Sequence, residues 1–188
     1  MGTRKENMDD IIFQLSAHSS QSALKSLYVA YFNQLIKFVV LYVDSTVVAE
    51  EIVSDVFFAV WNNRKALRDI DNFNCYVYKI AMYKSIDYLR SRQMRQIELG
   101  EIPIDAFVCT MTTPENDLIS KENINLLNEA IDKLPVKCKL AFKLIREDKM
   151  KYKEVASILN VSTKTIEAYI TSSVKILRET LKKNMESE

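Results

Sequence analysis

The chain has 188 residues, a formal net charge of +1 and a hydrophobic fraction of 48%, which is enough for a buried core and excludes a wholly disordered chain. Only 2 Gly and 3 Pro are present, which excludes the turn-rich all-β folds. The three cysteines lie far apart and His18 is the only histidine, so a zinc site is not expected.

The same composition predicts a cytoplasmic, mainly helical protein without a cofactor. No apolar run reaches the roughly 18 residues that a membrane span needs, and the N-terminal MGTRKENMDD lacks the apolar core of a signal peptide. The cysteines are expected to be reduced, buried thiols. No phosphate loop, metal-ligand set or nucleophile–base arrangement is present, so we expect no enzymatic activity.

Charge is distributed in blocks along the chain. Residues 62–95 carry a net charge of +5, residues 96–123 carry −5, and residues 124–188 carry +4. Two basic helical blocks on either side of an acidic segment are consistent with two contacts to a polyanion. Ordinary solvated helix faces would give the same pattern, so charge alone leaves both interpretations open.

The first half of the chain is predicted to form three helices. Residues 22–43 place apolar side chains at three- and four-residue steps, and Asp44 and Ser45 then break the pattern and can cap a second helix from Ala49 to Trp61. Asn62 and Asn63 are expected to end that helix in the left-handed conformation. A polar basic loop over residues 62–72 leads to a third helix, from about Phe73 to Arg95.

Periodicity is lost over residues 96–123, which contain Pro103, Pro114 and six acidic side chains. We interpret this segment as a flexible acidic linker between two small all-α domains. The second domain is predicted to contain helices at Ile124–Leu134, Val136–Glu147, Tyr152–Leu159 and from Ser162 to about Lys183.

Residues 151–178, KYKEVASILNVSTKTIEAYITSSVKILR, have the pattern of a helix-turn-helix. Ala156 is small enough for two helices to cross closely, Asn160 accepts the positive φ of the turn, and Ser162 can cap the second helix. That helix would enter the major groove of DNA by its N-terminal end. An ordinary helical hairpin within a core is the alternative. The residues predicted to face DNA are Ser162, Thr163, Lys164, Thr165, Glu167, Ala168, Thr171 and Lys175.

Three blocks of the sequence resemble a known family. Residues 46–61 (TVVAEEIVSDVFFAVW), residues 70–90 (IDNFNCYVYKIAMYKSIDYLR) and residues 133–135 (KLP) with 152–178 are similar, in order and spacing, to the extracytoplasmic-function (ECF) sigma factors. The resemblance implies an alternative sigma factor that directs core RNA polymerase to promoters and reads the −10 and −35 elements. It also implies a tail at 1–19, sigma region 2 at 20–95, the acidic linker at 96–123, sigma region 4 at 124–183 and a tail at 184–188.

For region 2, the resemblance implies one polymerase-binding face and one DNA-binding face. Glu50, Glu51, Ser54 and Asp55 would contact the clamp of the largest polymerase subunit, although a solvated face would have the same composition. Residues 64–92 would recognise and open the −10 element by stacking bases on aromatic rings in a basic groove. Candidate base contacts are Asn72, Asn74, Tyr76 and Tyr83, where helix packing of each tyrosine is an open alternative. Candidate phosphate contacts are Arg64, Lys65, Arg68, Lys79, Lys84, Arg90 and Arg92.

For region 4, the resemblance implies contact with the −35 duplex and with the flap of the second-largest subunit. The acidic linker would enter the channels of the polymerase, although a plain spacer would look similar. A separate anti-sigma factor is the implied regulator. Glu167, Ala168 and Ser172 stand where many members carry basic residues, and Met82 and Tyr83 differ from the common −10 pattern. The alternatives to a sigma factor are a stand-alone helix-turn-helix regulator, which would need to dimerise, or a helical adaptor.

Overall fold

A computed structural model describes residues 3–43, 45–98 and 130–185, which fall into two compact units divided at Ala106/Phe107. Every described element is a helix or a turn, and no strand occurs in these three ranges. Within them, no helix combines the length and the apolar character that crossing a bilayer requires, and no group of three or more His, Cys, Asp or Glu side chains is arranged to hold a metal ion.

The first unit contains four α-helices and one 3-10 helix. The α-helices are α1 (Thr3–His18), α2 (Gln21–Val39), α3 (Thr46–Asn62) and α4 (Phe73–Glu98). The 3-10 helix, Arg64–Asp69, connects α3 to α4. The core lies among α2, α3 and α4, while α1 packs against α2 and the 3-10 helix.

Side-chain caps set the starts of three helices in this unit. The hydroxyls of Ser20 and Ser45 accept hydrogen bonds from backbone N–H groups in the first turns of α2 and α3. The Asn72 side-chain oxygen accepts the Cys75 N–H at 2.9 Å at the start of α4. The predicted second and third helices are therefore confirmed, with α3 and α4 each a few residues longer than expected.

The ends of these helices differ from the sequence prediction. The first predicted helix, 22–43, stops at Val39, and Val40–Val43 form a turn whose valines and leucine are nevertheless buried. The prediction of a left-handed end at Asn63 is wrong: its φ is −94°, because the chain passes directly into the 3-10 helix. Residues 3–18, predicted as part of a tail, form α1, and its Leu15 is fully buried.

The second unit is described from Ala130 onward. Residues 130–132 are helical, and Pro135 precedes α5 (Val136–Arg146). The next helices are α6 (Tyr152–Leu159) and α7 (Thr163–Met185). The predicted helix 124–134 is thus confirmed only for its last turn, because residues 124–129 lie outside the described ranges, as does most of the predicted linker.

A partly buried ion pair contributes to this unit. Lys139 is only 5% exposed, and its Nζ lies 2.8 Å from Oδ1 of Asp132, which ties α5 to the preceding helical turn. Around it, an apolar cluster joins this turn, α5 and α7; its buried members are Ala130, Ile131, Leu134, Cys138 and Leu177. Burial raises the pKa of the Cys138 thiol, so it stays protonated as a core residue. Cys75 is only half-buried, and Cys109 lies outside the described residues.

The turn at Asn160 gives the first testable prediction. Asn160 has φ 53° and ψ 48°, a left-handed conformation that costs most residues with a Cβ roughly 1–2 kcal/mol and Asn less. Asn160→Ala should therefore lower the free energy of unfolding of the second unit by about 1 kcal/mol, whereas Asn160→Gly should be close to neutral. Amide hydrogen exchange in residues 130–185 of the full chain measures this. Equal exchange rates in the two variants would show that the left-handed turn is not a constraint.

Candidate nucleic-acid interface

The turn between α6 and α7 has the geometry that the sequence predicted for a helix-turn-helix. The Val161 N–H donates to the Ala156 carbonyl at 3.0 Å, which closes the turn around the left-handed Asn160. The Ser162 hydroxyl accepts the Thr165 N–H at 3.0 Å, so the predicted cap of the second helix is confirmed. Ala156 is buried where the helices cross.

One side of α7 supplies the core and the other side is open. Ile166, Ile170 and Ser173 are buried against the rest of the unit. On the opposite side, all but one of the residues predicted to face DNA are exposed; these are Ser162, Thr163, Lys164, Glu167, Ala168, Thr171 and Lys175. The exception is Thr165, which is half-buried because its hydroxyl bonds that of Ser162 at 2.8 Å. Among residues 130–185, the part of the second unit that the structure describes, no residue covers this side of α7.

Local contacts restrain two of these side chains without removing them from solvent. The Thr171 hydroxyl donates to the Glu167 carbonyl at 2.8 Å. Lys175 lies 4.0 Å from Glu179, a loose exposed pair whose free energy is typically below about 1 kcal/mol. Lys175 can therefore exchange that partner for a phosphate at little cost.

A further group of lysines stands at the entry to α6. Lys149, Lys151 and Lys153 are all exposed, and the partly exposed Tyr152 ring lies among them. The first helix of a helix-turn-helix crosses the DNA backbone, so these lysines are additional candidates for phosphate. In the sequence, the lysine at every second position of residues 149–153 (KMKYK) is the signal that could have identified them.

In the first unit, α3 carries an exposed face with both acidic and apolar side chains. Glu50, Glu51, Ser54 and Asp55 are all exposed, as the sequence predicted. Val47 and Phe58 lie on the same side at helical steps and are 68% and 65% exposed, so this face also carries apolar area. Sequence analysis had not identified Phe58, because it follows Phe57, which belongs to the buried stripe. We call residues 47, 50, 51, 54, 55 and 58 the α3 face.

The candidate −10 residues on α4 separate into two groups. Tyr76, Lys79, Tyr83 and Arg90 succeed one another at steps of three, four and seven residues, and therefore share one side of α4. We call these four residues the α4 stripe. Tyr83 is 55% exposed, whereas Tyr76 is half-buried with its ring 6.3 Å from that of Phe73. Arg90 is exposed and lies 3.7 Å from Asp87.

The other candidates on or near α4 have different surroundings. Lys84 Nζ lies 3.1 Å from Oδ2 of Asp55, so Lys84 is turned toward α3, and Arg92 is exposed outside the stripe. Asn72 serves as the cap of α4, and Asn74 is half-buried in its first turn.

Two arginines of the 3-10 helix contact α1 and the end of α3, while Lys65 between them is exposed. Arg64 donates from Nε to Ser19 Oγ and from Nη1 to the Trp61 carbonyl, both at 2.9 Å, and its guanidinium lies 4.5 Å from the centroid of the Trp61 ring. Arg68 donates from Nε to Ser16 Oγ at 2.9 Å and stacks over Phe13. Arg64 is half-buried and Arg68 is exposed, so the two arginines are not equally available to DNA.

Family models match both units in order along the chain. The model of "Sigma-70 region 2" matches residues 27–95, and that of "Sigma-70, region 4" matches residues 124–177; together they cover about two thirds of the chain. Helix α1 precedes both matches. A region 2 match ahead of the helix-turn-helix supports a sigma factor and not a stand-alone regulator.

Curated relatives agree with this assignment. The chain is 24% identical over 169 residues to the ECF RNA polymerase sigma-E factor of Escherichia coli (strain K12), covering 86% of this chain and 88% of that protein. It is 25% identical over 141 residues to the ECF RNA polymerase sigma factor SigW of Bacillus subtilis (strain 168), covering 71% and 75% of the two chains.

Solved structures share the fold at low identity. The sigma factor RpoE in complex with the anti-sigma factor NepR from Bartonella quintana matches with a TM-score of 0.65 at 18% identity, over 84% of this chain and 96% of that one. CnrH, solved in complex with the cytosolic domain of CnrY, matches with a TM-score of 0.59 at 21% identity, over 93% and 97% of the two chains.

The contacts of Arg64 give the second testable prediction. Arg64→Lys keeps the charge but loses the forked hydrogen bonds and the stacking on Trp61, so it should lower the free energy of unfolding by about 1–2 kcal/mol. Trp61 is the only tryptophan of the chain, so its fluorescence during urea denaturation reports this site directly. Lys65→Ala, an exposed change on the same 3-10 helix, is the control and should shift stability by less than about 0.5 kcal/mol. Equal stability of the two variants would assign Arg64 no structural role.

Proposed function

The chain belongs to the sigma-70 family, as an alternative sigma factor of the ECF group that directs transcription initiation, and we propose how its surfaces divide that work. Region 2 (residues 20–95) binds core RNA polymerase and opens the −10 element, and region 4 (residues 124–183) reads the −35 duplex. The observation that carries the proposal is the open polar side of α7, set opposite a fully buried apolar side.

Region 4 reads duplex DNA by inserting the N-terminal half of α7 into the major groove. Thr163, Lys164 and Glu167 stand at the exposed start of that helix, where a recognition helix contacts base edges. Glu167 can accept a hydrogen bond from cytosine N4. Lys164 and Lys175 contact phosphates and set the register of region 4 on the duplex. The lysines at the entry to α6 extend this contact along the DNA backbone.

Region 2 captures a single strand on the α4 stripe. Tyr83 offers the most open aromatic ring of the stripe, and Lys79 and Arg90 lie on either side of it along the helix. A base stacked on an aromatic ring contributes roughly 1–3 kcal/mol, so capture of one flipped base stabilises a promoter that is close to melting. Lys65, Arg68, Asn74 and Arg92 are the further contacts of this region, while Arg64 and Asn72 support the loop and the helix start.

The α3 face binds the clamp of the largest polymerase subunit. Protein interfaces combine an apolar centre with a polar rim, and the α3 face offers this arrangement through Val47 and Phe58 beside Glu50, Glu51 and Asp55. Burial of the exposed Phe58 ring would remove the largest apolar side chain of this face from water.

The remaining partners follow from the family. Region 4 contacts the flap of the second-largest subunit, and the acidic linker, residues 96–123, enters the polymerase channels. An anti-sigma factor regulates the chain; RpoE of Bartonella quintana, one of the structural neighbours, is described in complex with such a protein. The chain acts in the cytoplasm, where polymerase and chromosome are found.

Reconstitution with core polymerase gives the third prediction and tests the α3 face. The unaltered chain should form a stable complex with core polymerase and support run-off transcription from a defined set of genomic start sites. Glu51→Lys should weaken core binding about tenfold, because it reverses a charge within the interface. Core affinity can be measured by anisotropy of the labelled chain.

Asp9→Lys, the same charge change at an exposed position of α1, is the matched control and should bind core polymerase normally. If the unaltered chain leaves core polymerase unable to initiate on genomic DNA, the proposed function is refuted. If both variants bind equally well, the assignment of the α3 face is refuted.

The fourth prediction concerns the duplex contact. Lys164→Glu and Lys175→Glu should each reduce transcription from promoters with an intact −35 element at least tenfold, and should leave core affinity unchanged. On templates whose −35 element is scrambled, the variants and the unaltered chain should differ little.

Lys137→Glu is the control, because it makes the same change of charge at an exposed position of α5. Retention of −35 dependence by both α7 variants would show that α7 does not face the groove.

A further inference from the structure

The 3-10 helix between α3 and α4 packs on α1, but its two arginines have different partners: Arg68 contacts Ser16 and Phe13 of α1, whereas Arg64 contacts Ser19, just after α1, and Trp61 of α3. Arg64 makes two hydrogen bonds and a ring contact, which together occupy its Nε, one terminal nitrogen and one face. Arg68 uses only its Nε and one face. The terminal nitrogens of Arg68 take part in no hydrogen bond or ion pair among the residues that the structure describes, and its side chain remains exposed.

Ser16 is oriented to accept from Arg68. Its hydroxyl donates to the Phe13 carbonyl at 3.0 Å within α1, so its proton is committed and its lone pairs remain for the Arg68 Nε, 2.9 Å away. The acceptor is therefore fixed by the helix itself and does not depend on Arg68.

Phe13 provides the second restraint. The Arg68 guanidinium carbon lies 4.6 Å from the centroid of the Phe13 ring, and His18 meets the same ring edge-on at 6.0 Å. Phe13 is 50% exposed, so burial in the core does not account for its position. The ring serves as a platform under the guanidinium.

A guanidinium stacked on a ring and bonded through Nε presents its two terminal nitrogens together at the opposite edge. This edge matches a phosphate group, which takes two parallel hydrogen bonds from such a fork. The 3-10 helix lies within the segment that we assign to −10 recognition, so a phosphate of the captured strand is the ligand that this edge would meet.

We propose that Phe13 and Ser16 are positioning residues that hold Arg68 in place for one backbone phosphate of the −10 strand. Arg64, by contrast, anchors the same segment to Ser19 and makes no DNA contact. Helix α1 is thereby part of the promoter-binding machinery, although it precedes both family matches. The inference rests on the proposed function and identifies which arginine of the 3-10 helix meets the DNA and what positions it.

The test uses holoenzyme made with the full chain and fork-junction DNA from a promoter at which that holoenzyme initiates. Arg68→Ala should weaken DNA binding about tenfold and should reduce the slope of log K against log salt concentration by about 0.7, the value for one phosphate contact on a single strand. Phe13→Ala and Ser16→Ala should each weaken binding about two- to fivefold. Gln14→Ala, which removes an exposed α1 side chain bonded to Asp10, should bind as the unaltered chain does.

A double-mutant cycle separates positioning from a general structural role. In the Arg68→Ala background, Phe13→Ala and Ser16→Ala should cause no further loss, because the group that they position is gone. Phe13→Tyr keeps the aromatic ring and should bind DNA as the unaltered chain does, since the exposed ring edge has room for a hydroxyl. If Phe13→Ala proves unstable, Phe13→Leu keeps the apolar contact without the ring face and should show the same loss as predicted for Phe13→Ala.

The outcomes distinguish this inference from the function on which it rests. Equal losses from Phe13→Ala in both backgrounds, or normal DNA affinity of Arg68→Ala in a holoenzyme that still initiates, would overturn the role of Arg68 and leave the proposed function intact. Failure of the unaltered holoenzyme to initiate would overturn both.

Discussion

The described helices pack one side against the core of their unit. The surface that we assign to DNA depends on this one-sided burial. In the second unit, Ile166, Ile170 and Ser173 face inward at helical spacing, and this fixes the rotation of α7 about its own axis. The polar residues between them are exposed among the residues that the structure describes. The left-handed Asn160 and the Ser162 cap determine where α7 begins, so its N-terminal end is free at the position where a recognition helix needs it.

In the first unit, the 3-10 helix that we assign to −10 recognition buries little apolar area of its own. Only Leu67 of the 3-10 helix is buried, and the two arginines provide the remaining attachment through charge-assisted bonds and ring contacts. Their partners Ser19 and Ser16 lie 45 and 52 residues away in sequence. The loop is thus held by long-range polar contacts and not by local hydrophobic packing.

The sequence predicted best those features that depend on neighbouring residues. The Ser45 and Ser162 caps, the turn at Asn160 and the bounds of α6 all follow from local chemistry, and all are confirmed. The family resemblance, which rests on ordered local blocks, is confirmed as well. The exposure of the α7 residues was also predictable, because amphipathic spacing alone separates the two sides of that helix.

Features that depend on distant partners were not predictable. Helix α1 has a weak apolar pattern, and Leu15 is buried only because other elements pack on it. On α4, Ile80 and Tyr88 are only half-buried, whereas Tyr78 and Met82 lie in the core. Arg64 and Arg68 look equivalent in sequence, and only their different partners in the fold separate them: Ser19 and Trp61 for Arg64, Ser16 and Phe13 for Arg68.

The ion pair between Asp55 and Lys84 joins two surfaces that we assign to different partners. Its carboxylate belongs to the α3 face, and its ammonium comes from α4, the helix that we assign to DNA. An exposed pair of this kind is typically worth no more than about 1 kcal/mol, so either partner can break it, and a protein that takes the carboxylate leaves the ammonium free for a phosphate. Thermodynamic reciprocity requires the two binding events to assist each other equally. On the proposed assignment of these two surfaces, breaking this pair would couple assembly of the transcription machinery to its hold on the template.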